Sequence, residues 1–332
     1  MVRVAIVGAG AVGARAARQL LATAAVDEVV VRDTHRAVAE AVVRSLGPGA
    51  VAADSAERVA PDADAVLLAT PYGHHLDLAR DALIREMPVV SVSDDVDDVR
   101  ALLRLDSRAR TCGVPLVVGA GFMPGLTGVL ARHGARSFDT LLEIHVAKMG
   151  TGGPACARQR HRALGDAGED WRDGAWVRRP GGSGRELCWF PSPIDAHDCY
   201  TGALPDTLLL QSSFAEVERI TSRMAATRRD RLTMHVPMLR SPHPEGRAGA
   251  VRVELRGVRR GVSTTMVLGA VHPPAVAAGT VAALAITWLL AGRIHEPGAA
   301  ALAAMVEPTP FLAELGARGL ATEVFEGLDA AG

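Results

Sequence analysis

Residues 2–13 read Val2-Arg3-Val4-Ala5-Ile6-Val7-Gly8-Ala9-Gly10-Ala11-Val12-Gly13, and this stretch decides the fold. Val2–Val7 is a nearly continuous apolar run, as expected of a central parallel strand covered on both faces. The three glycines follow it at the spacing of a phosphate-binding strand–turn–helix. Gly8 permits the tight turn, Gly10 lets the backbone approach a pyrophosphate, and Gly13 lets the helix pack on the strand. Ala11 and Val12 then open a helix whose first N–H groups and partial positive charge suit phosphate. A nicotinamide dinucleotide is the expected ligand.

Asp33 lies twenty residues beyond Gly13, at the end of a second apolar run, Glu28–Arg32. A carboxylate there can bond a ribose diol and repels a 2′-phosphate, which favours NAD. Arg32 and Arg36 flank it and can grip that phosphate in a bidentate fashion, so NADP is the alternative. Through residue 120 apolar runs alternate with helical periodicity. Strands are expected near Val2–Val7, Glu28–Arg32, Gly49–Ala53, Ala63–Ala69, Pro88–Val92 and Pro115–Gly119. Helices are expected at Ala11–Thr23, His35–Leu46, Ser55–Ala60, His74–Arg85 and Val96–Arg110. That is a doubly wound Rossmann sheet, whose ligand lies beyond the carboxyl ends of the strands. Thr70 and Pro71, after the fourth strand, and Ser93, after the fifth, are therefore expected at the nicotinamide end. His74 is a candidate acid there, or a residue that starts a helix. Asp94 and Asp95 either meet a substrate amine or cap the following helix.

The pattern changes after residue 136. Ala250–Leu255 alternates Val251, Val253 and Leu255 with Arg252 and Glu254, as a half-exposed strand does. The Arg256–Gly261 stretch predicts a hairpin into Val262–Val271. Arg158–Gly184, rich in Gly, Arg and Asp, predicts a loose excursion. Helical signals return at Ala275–Ala291, Ala299–Met305 and Pro310–Leu315. The expected layout is a Rossmann domain, 1–136, completed by helices from 273–332, with an inserted, mainly antiparallel α+β domain at 137–272.

Composition narrows the function. Thirty-six basic and 37 acidic residues nearly balance, which argues against a nucleic-acid surface or a polybasic membrane contact. Four cysteines with no C-x-x-C pair read as reduced thiols rather than a zinc site or disulfide framework, and no metal is expected. The chain enters a strand at once, so no signal peptide is expected and a cytoplasmic protein is. Ala275–Ala291 is almost wholly apolar but short for a membrane span, and holds Gly279, Thr280 and Thr287. It predicts a helix buried in the core or in a homodimer interface. Lys148 is the only lysine; the other fixed cations are arginines, which do not release a proton in proteins. Beside the Gly150–Gly153 turn, Lys148 is a candidate general acid or base, or a lone surface lysine. Arg158, Arg160, His161 and Arg162 can hold a substrate carboxylate or form a solvated basic face. Tyr200 can donate a hydrogen bond or sit in a core.

At Val118-Gly119-Ala120-Gly121-Phe122-Met123-Pro124-Gly125-Leu126-Thr127 the chain resembles the saccharopine dehydrogenase-like family. Val251–Gly261, and the stretch from Gly279 through Trp288–Ala299 to Glu307–Leu320, resemble that family's sheet domain and C-terminal helices. The resemblance implies a nicotinamide oxidoreductase acting at a C–N bond of an amino acid or polyamine, with Phe122 and Met123 beside the substrate. Met123 stands where relatives usually carry Asp, which puts lysine or saccharopine as substrate in doubt. Met123 can equally be gap-filling. A sugar or polyol dehydrogenase of the glucose–fructose oxidoreductase type is the alternative, suggested by Ala69–Ala79; the Glu-Lys-Pro expected of it after the fifth strand is missing. A non-catalytic dinucleotide sensor is the third reading.

Overall fold

The computed structural model describes residues 1–53, 58–60, 62–238, 242–244 and 246–325. It divides into two compact units, Met1–Gly125 with Ala275–Val306, and Leu126–Pro274 with Glu307–Gly332.

The first unit is built on β1 (Arg3–Val7), β2 (Glu28–Arg32), β3 (Ala50–Ala52), β4 (Ala65–Leu68), β5 (Val89–Ser91) and β6 (Pro115–Val118). A seventh strand, Gly298–Ala301, pairs in parallel with β6. From that edge the order is Gly298–Ala301, β6, β5, β4, β1, β2, β3, every pair parallel. The order reverses between β4 and β1, the crevice where doubly wound sheets hold ligands. Val4, Ile6, Leu67, Leu68, Val90 and Val117 are wholly buried, which explains why these strands read as unbroken apolar runs. Each such side chain contributes roughly 1.5–3 kcal/mol of burial. The crossovers include α1 (Ala11–Leu21), α2 (Arg36–Leu46), α3 (His75–Ile84) and α4 (Val96–Leu103).

Two local readings differ from the structure. The single helix expected at Val96–Arg110 is two, α4 and Asp106–Thr111, separated at Arg104-Leu105. Ala299–Met305 is a strand and then one turn of helix, Leu302–Met305. Gly-Ala-Ala-Ala has helical composition, but a free position beside β6 and the Asp106 carboxylate, 2.9 Å from the Ala299 N–H, make it a strand. The helix read at Ser55–Ala60 falls largely outside the described residues.

The apolar segment is a helix, Pro274–Leu290, buried on nearly every side within the first unit. Gly279 is the point of closest approach: a Cβ there would lie 2.8 Å from both the Ala16 nitrogen and the Arg15 Cβ of α1. No helix of the described residues is long and apolar enough to cross a membrane.

The second unit is a nine-stranded mixed sheet. Its main path runs Glu186–Trp189, Ala196–Tyr200, Arg219–Ala225, Thr140–Met149, Gly249–Arg259, Val262–His272, Glu323–Val324. Only Arg219–Ala225 and Thr140–Met149 run parallel along it. The hairpin closes through Arg260-Gly261, both at positive φ, as a two-residue turn matched to strand twist requires. The excursion expected at Arg158–Gly184 is instead ordered. It completes helix Pro154–Gly165 and forms the antiparallel pair Gly168–Arg172 and Ala175–Arg179. Its polar residues are used in pairing: Arg223 meets Asp170 through two bonds of 2.8 and 2.9 Å, both side chains buried. The unit boundaries also differ from the expected 136/137 and 272/273. Helix Leu126–Ala135 and helix Pro308–Ala317 both belong with the sheet, where Arg136 pairs with Glu307 at 2.5 Å.

Gly279→Ala is expected to destabilise the protein by about 1–3 kcal/mol, because the helix pair must separate to admit the methyl group. Gly316→Ala, in a helix position with nothing within 4 Å, is expected to stabilise by about 0.4–1 kcal/mol. Urea-denaturation midpoints that shift in the same direction for both contradict this account.

Candidate functional site

The glycine turn after β1 is made by close approach. A Cβ on Gly8, at φ +108°, would fall 2.3 Å from the Ala69 carbonyl oxygen, and one on Gly13 would fall 1.9 Å from the Gly8 oxygen. Gly10 differs. Nothing lies within 4 Å of the position its Cβ would take, and its φ is ordinary. The fold therefore requires Gly8 and Gly13, whereas Gly10 keeps space clear. No side chain caps α1 and its first turn carries no acid, so its leading N–H groups at Ala11 and Val12 remain for an anion.

Asp33 holds this turn from β2. One carboxylate oxygen accepts the Ala9 N–H at 2.9 Å and the other accepts the His35 N–H at 2.9 Å. A carboxylate has about four acceptor sites, so lone pairs remain for a hydroxyl. Arg32 donates to the Arg58 carbonyl at 3.2 Å, while its Nε is buried without a partner among the described residues. Arg36 pairs with Glu40 one helical turn on, at 2.8 Å. Across the crevice, Thr70 Oγ1 is also buried without a partner among the described residues. An open cradle, an uncapped helix and orphaned donors at both ends fit a dinucleotide.

The ends of β4 and β5 carry a polar circuit that the sequence reading missed. His75, not His74, is the buried histidine; His74 is exposed at the start of α3 and makes no capping bond. His75 Nε2 lies 2.9 Å from the Thr70 carbonyl, which can only accept, so Nε2 carries the proton. Nδ1 then accepts from Ser91 Oγ at 3.0 Å. Ser91 Oγ accepts the Ser93 N–H, Ser93 Oγ donates to Asp98, and Asp98 accepts the Gly73 N–H at 2.9 Å. Burial pushes the His75 pKa below its ordinary value, only partly opposed by Asp98. Ser93, expected beside the cofactor, thus spends its hydroxyl inside the circuit and on the Asp95 N–H. Asp95 caps α4 through the Asp97 and Asp98 N–H groups, while Asp94 is partly exposed. Pro71 is exposed. The adjacency of two histidines hid which was buried; the helical register of α3 is what separates them.

After β6 the family-like turn closes tightly. The Gly121 N–H donates to the Pro124 carbonyl at 2.9 Å, and a Cβ on Gly125 would fall 2.2 Å from the Gly121 oxygen. Phe122 and Met123 are both buried in it.

In the second unit, Lys148 is half-buried near the end of Thr140–Met149, between Met224 and Val251 of the neighbouring strands. Arg158 is exposed on its helix. The other expected substrate contacts are engaged structurally. His161 bonds the Val236 carbonyl at 2.8 Å, Arg160 the Ala225 carbonyl, and Arg162 the Gln159 side chain. Tyr200 is buried, accepts from Arg231 at 3.3 Å and stacks beneath its guanidinium at 4.4 Å. These donors and rings were legible as residue types; only folding showed their partners. Also unread was a buried cluster on the sheet. There His145 bonds Thr221 and Glu143, each at 2.8 Å, and Glu254 lies between Arg252 and Arg256. Burial pushes the His145 pKa down, offset in part by Glu143. His272 Nδ1 is buried without a partner among the described residues. Those residues hold no cluster of metal ligands, and their four cysteines form no disulfide.

Residues 2–108 match the family model GFO_IDH_MocA, described as an oxidoreductase family with an NAD-binding Rossmann fold. The first unit is an NAD(P)-binding Rossmann domain of oxidoreductase type. Over its whole length the chain is similar to saccharopine dehydrogenase (L-Glu forming) from Saccharomyces cerevisiae, with a TM-score of 0.72 and 16% identity, covering 98% of this chain and 100% of that one. It has the saccharopine dehydrogenase fold. DAP dehydrogenase of C. glutamicum, in complex with DAP, matches at TM-score 0.52 and 14% identity, over 96% and 98% of the two chains. An engineered D-amino acid dehydrogenase bound to NADP+ matches at TM-score 0.52 and 14% identity, over 96% and 99%.

Gly10→Val is expected to weaken dinucleotide binding by about a hundredfold or more in calorimetry, with the thermal midpoint unchanged. Gly13→Ala is expected to lower the midpoint itself. Undiminished affinity in Gly10→Val contradicts the assignment of the cradle. A second expectation concerns acid. His75 and His145 are buried below the ordinary imidazole value of 6.5 and regain it on unfolding. Their stabilisation is complete above pH 6.5 and lost as pH falls from there toward the folded values. The Tm should drop below about pH 6.5 with about two protons taken up on unfolding. A flat Tm from pH 7 to 5 excludes it.

Proposed function

We propose that this protein is an NAD(P)-dependent oxidoreductase transferring hydride at a C–N bond of an amino-acid or polyamine-like substrate, with NAD preferred. The observation that carries the cofactor half is the volume kept open over Gly10 at the uncapped start of α1. Preference for NAD rests on the Asp33 carboxylate, whose charge opposes a 2′-phosphate more than the partly engaged Arg32 favours it. The amine half is supported by the family-like turn at Gly119–Gly125 together with the fold. Two proteins of that fold are named for saccharopine and for D-amino acids, and a third was captured with DAP. Met123, buried where relatives of the resembling family usually carry Asp, offers no anchor for a cationic side chain, which argues against lysine or saccharopine itself.

The bound nicotinamide supplies the two-electron step. The chain's residues hold and orient: the α1 N-terminus and glycine turn take the pyrophosphate, Asp33 the adenosine ribose, Thr70 and Pro71 the nicotinamide end. Lys148 Nζ is assigned the proton transferred at the substrate nitrogen, and Arg158 the substrate carboxylate. His161 and Tyr200 act by holding their own unit in shape. A second reading, sugar or polyol oxidation, is favoured by the match of residues 2–108. Against it, Met87-Pro88-Val89 and the following residues contain no lysine where Glu-Lys-Pro is expected.

Cofactor turnover across amino acids, diamines, keto acids and polyols separates the two. Activity with an amino acid or diamine is expected, and activity confined to polyols overturns the C–N assignment. On the active substrate Lys148→Met should cut turnover about 10²-fold with unchanged cofactor affinity, and Lys148→Arg should not restore it. Full activity in Lys148→Met removes the lysine from the mechanism.

A further inference from the structure

We propose that His75 is a positioning residue for the nicotinamide end of the cofactor, holding the end of β4 so that the Thr70 hydroxyl stays available to the ligand. The proposal rests on reading this crevice as an NAD(P) site. Five observations carry it. His75 is completely buried at the ends of β4 and β5, a place where a polar ring is costly unless every nitrogen is bonded. Both nitrogens are bonded, and to different strands: Thr70 follows β4, and Ser91 is the last residue of β5. The ring therefore sets the spacing of two strand ends at the cofactor end of the sheet.

The circuit then returns on itself. From Ser91 it passes through Ser93 to Asp98, and Asp98 holds the Gly73 N–H. The Thr70–His75 loop is thus pinned by His75 at its start and by Asp98 at its middle. The same loop abuts the glycine turn, since a Cβ on Gly8 would come within 3.0 Å of the Thr70 nitrogen. Finally, every ring nitrogen and hydroxyl of the circuit has a partner, yet the adjoining Thr70 Oγ1 is buried with none among the described residues. A loop fixed so thoroughly around one unsatisfied hydroxyl is a preorganised contact. A merely space-filling residue would need neither the second nitrogen nor Ser91.

The test compares NADH with ADP-ribose, which lacks the nicotinamide, by calorimetry on the full chain; NADPH and 2′-phospho-ADP-ribose replace them if wild type prefers the phosphorylated pair. In wild type NADH should bind more tightly than ADP-ribose. His75→Phe, of similar shape but without nitrogens, should lose about tenfold of NADH affinity while ADP-ribose affinity stays within about twofold. His75→Gln restores a donor toward the Thr70 carbonyl and should recover part of that loss. Ser91→Ala, the milder variant if His75→Phe does not fold, should act in the same direction as His75→Phe. An equal fall for both ligands, or an unchanged preference in Ser91→Ala and His75→Phe, overturns the proposal and leaves the cofactor reading intact. No binding of either pair to wild type overturns the cofactor reading itself.

Discussion

Much of the first unit depends on one steric constraint: the glycine turn must pass between the ends of β1, β2 and β4 with no room for a side chain at two positions. Gly13 lies against the Gly8 carbonyl and Gly8 against the Ala69 carbonyl, so strand, turn, helix and neighbouring strand meet at backbone distance. The Asp33 carboxylate closes the arrangement by accepting the Ala9 N–H, which ties the turn to β2. Because close packing alone accounts for two glycines, the third can be read separately. Gly10 has space around it, and that space is the clearest sign of a ligand in the fold.

The two units place polar groups inside by the same rule and for different ends. In the first, His75, Ser91, Ser93 and Asp98 form a circuit of mostly neutral bonds at the ligand end of the sheet, where a fixed backbone matters. In the second, charged partners are buried or nearly so: Asp170 with Arg223, and Glu254 with Arg252, while Arg256 meets Glu254 from the exposed side. Burial pushes Glu254 toward the neutral acid, but the two arginines outweigh it and hold its pKa below the usual carboxylate range. Removing one member of such a pair typically costs about 3–5 kcal/mol, while replacing both by apolar residues is often neutral. Of these, Asp170 with Arg223 joins two strands, whereas Arg252, Glu254 and Arg256 are neighbours on one strand. Buried thiols follow the rule too: a bond with Cys188, and burial, push the Cys199 thiol up, which keeps it protonated and unreactive.

Site residues were legible to the extent that their chemistry is local. The glycines, Asp33, Thr70 and the α1 N-terminus are defined by neighbours in sequence. His75 was missed because its partners come from Thr70 and Ser91, the latter sixteen residues away. His161 and Tyr200 were proposed as substrate contacts on residue type. Their real partners, Val236 and Arg231, are 75 and 31 residues distant, and no spacing rule reaches that far.

The sequence by itself determined the parallel core, the glycine turn, the paired strands at Gly249–Arg259 and Val262–His272, and the burial of Pro274–Leu290. Each is written in periodicity or in a steric requirement that holds over a few consecutive residues. Tertiary structure alone decided the rest. Gly298–Ala301 is a strand because the edge of β6 offered hydrogen bonds that its helical composition could not outweigh. Gly168–Arg179 is ordered because Arg223 supplies a buried partner for Asp170. Pro308–Ala317 joins the second unit, where Arg136 meets Glu307. In all three, the deciding contact is made by a residue far along the chain, and for Pro308–Ala317 it is the burial of Phe311 and Leu315 rather than the exposed ion pair. Its free energy therefore exists only once the fold has brought the parts together.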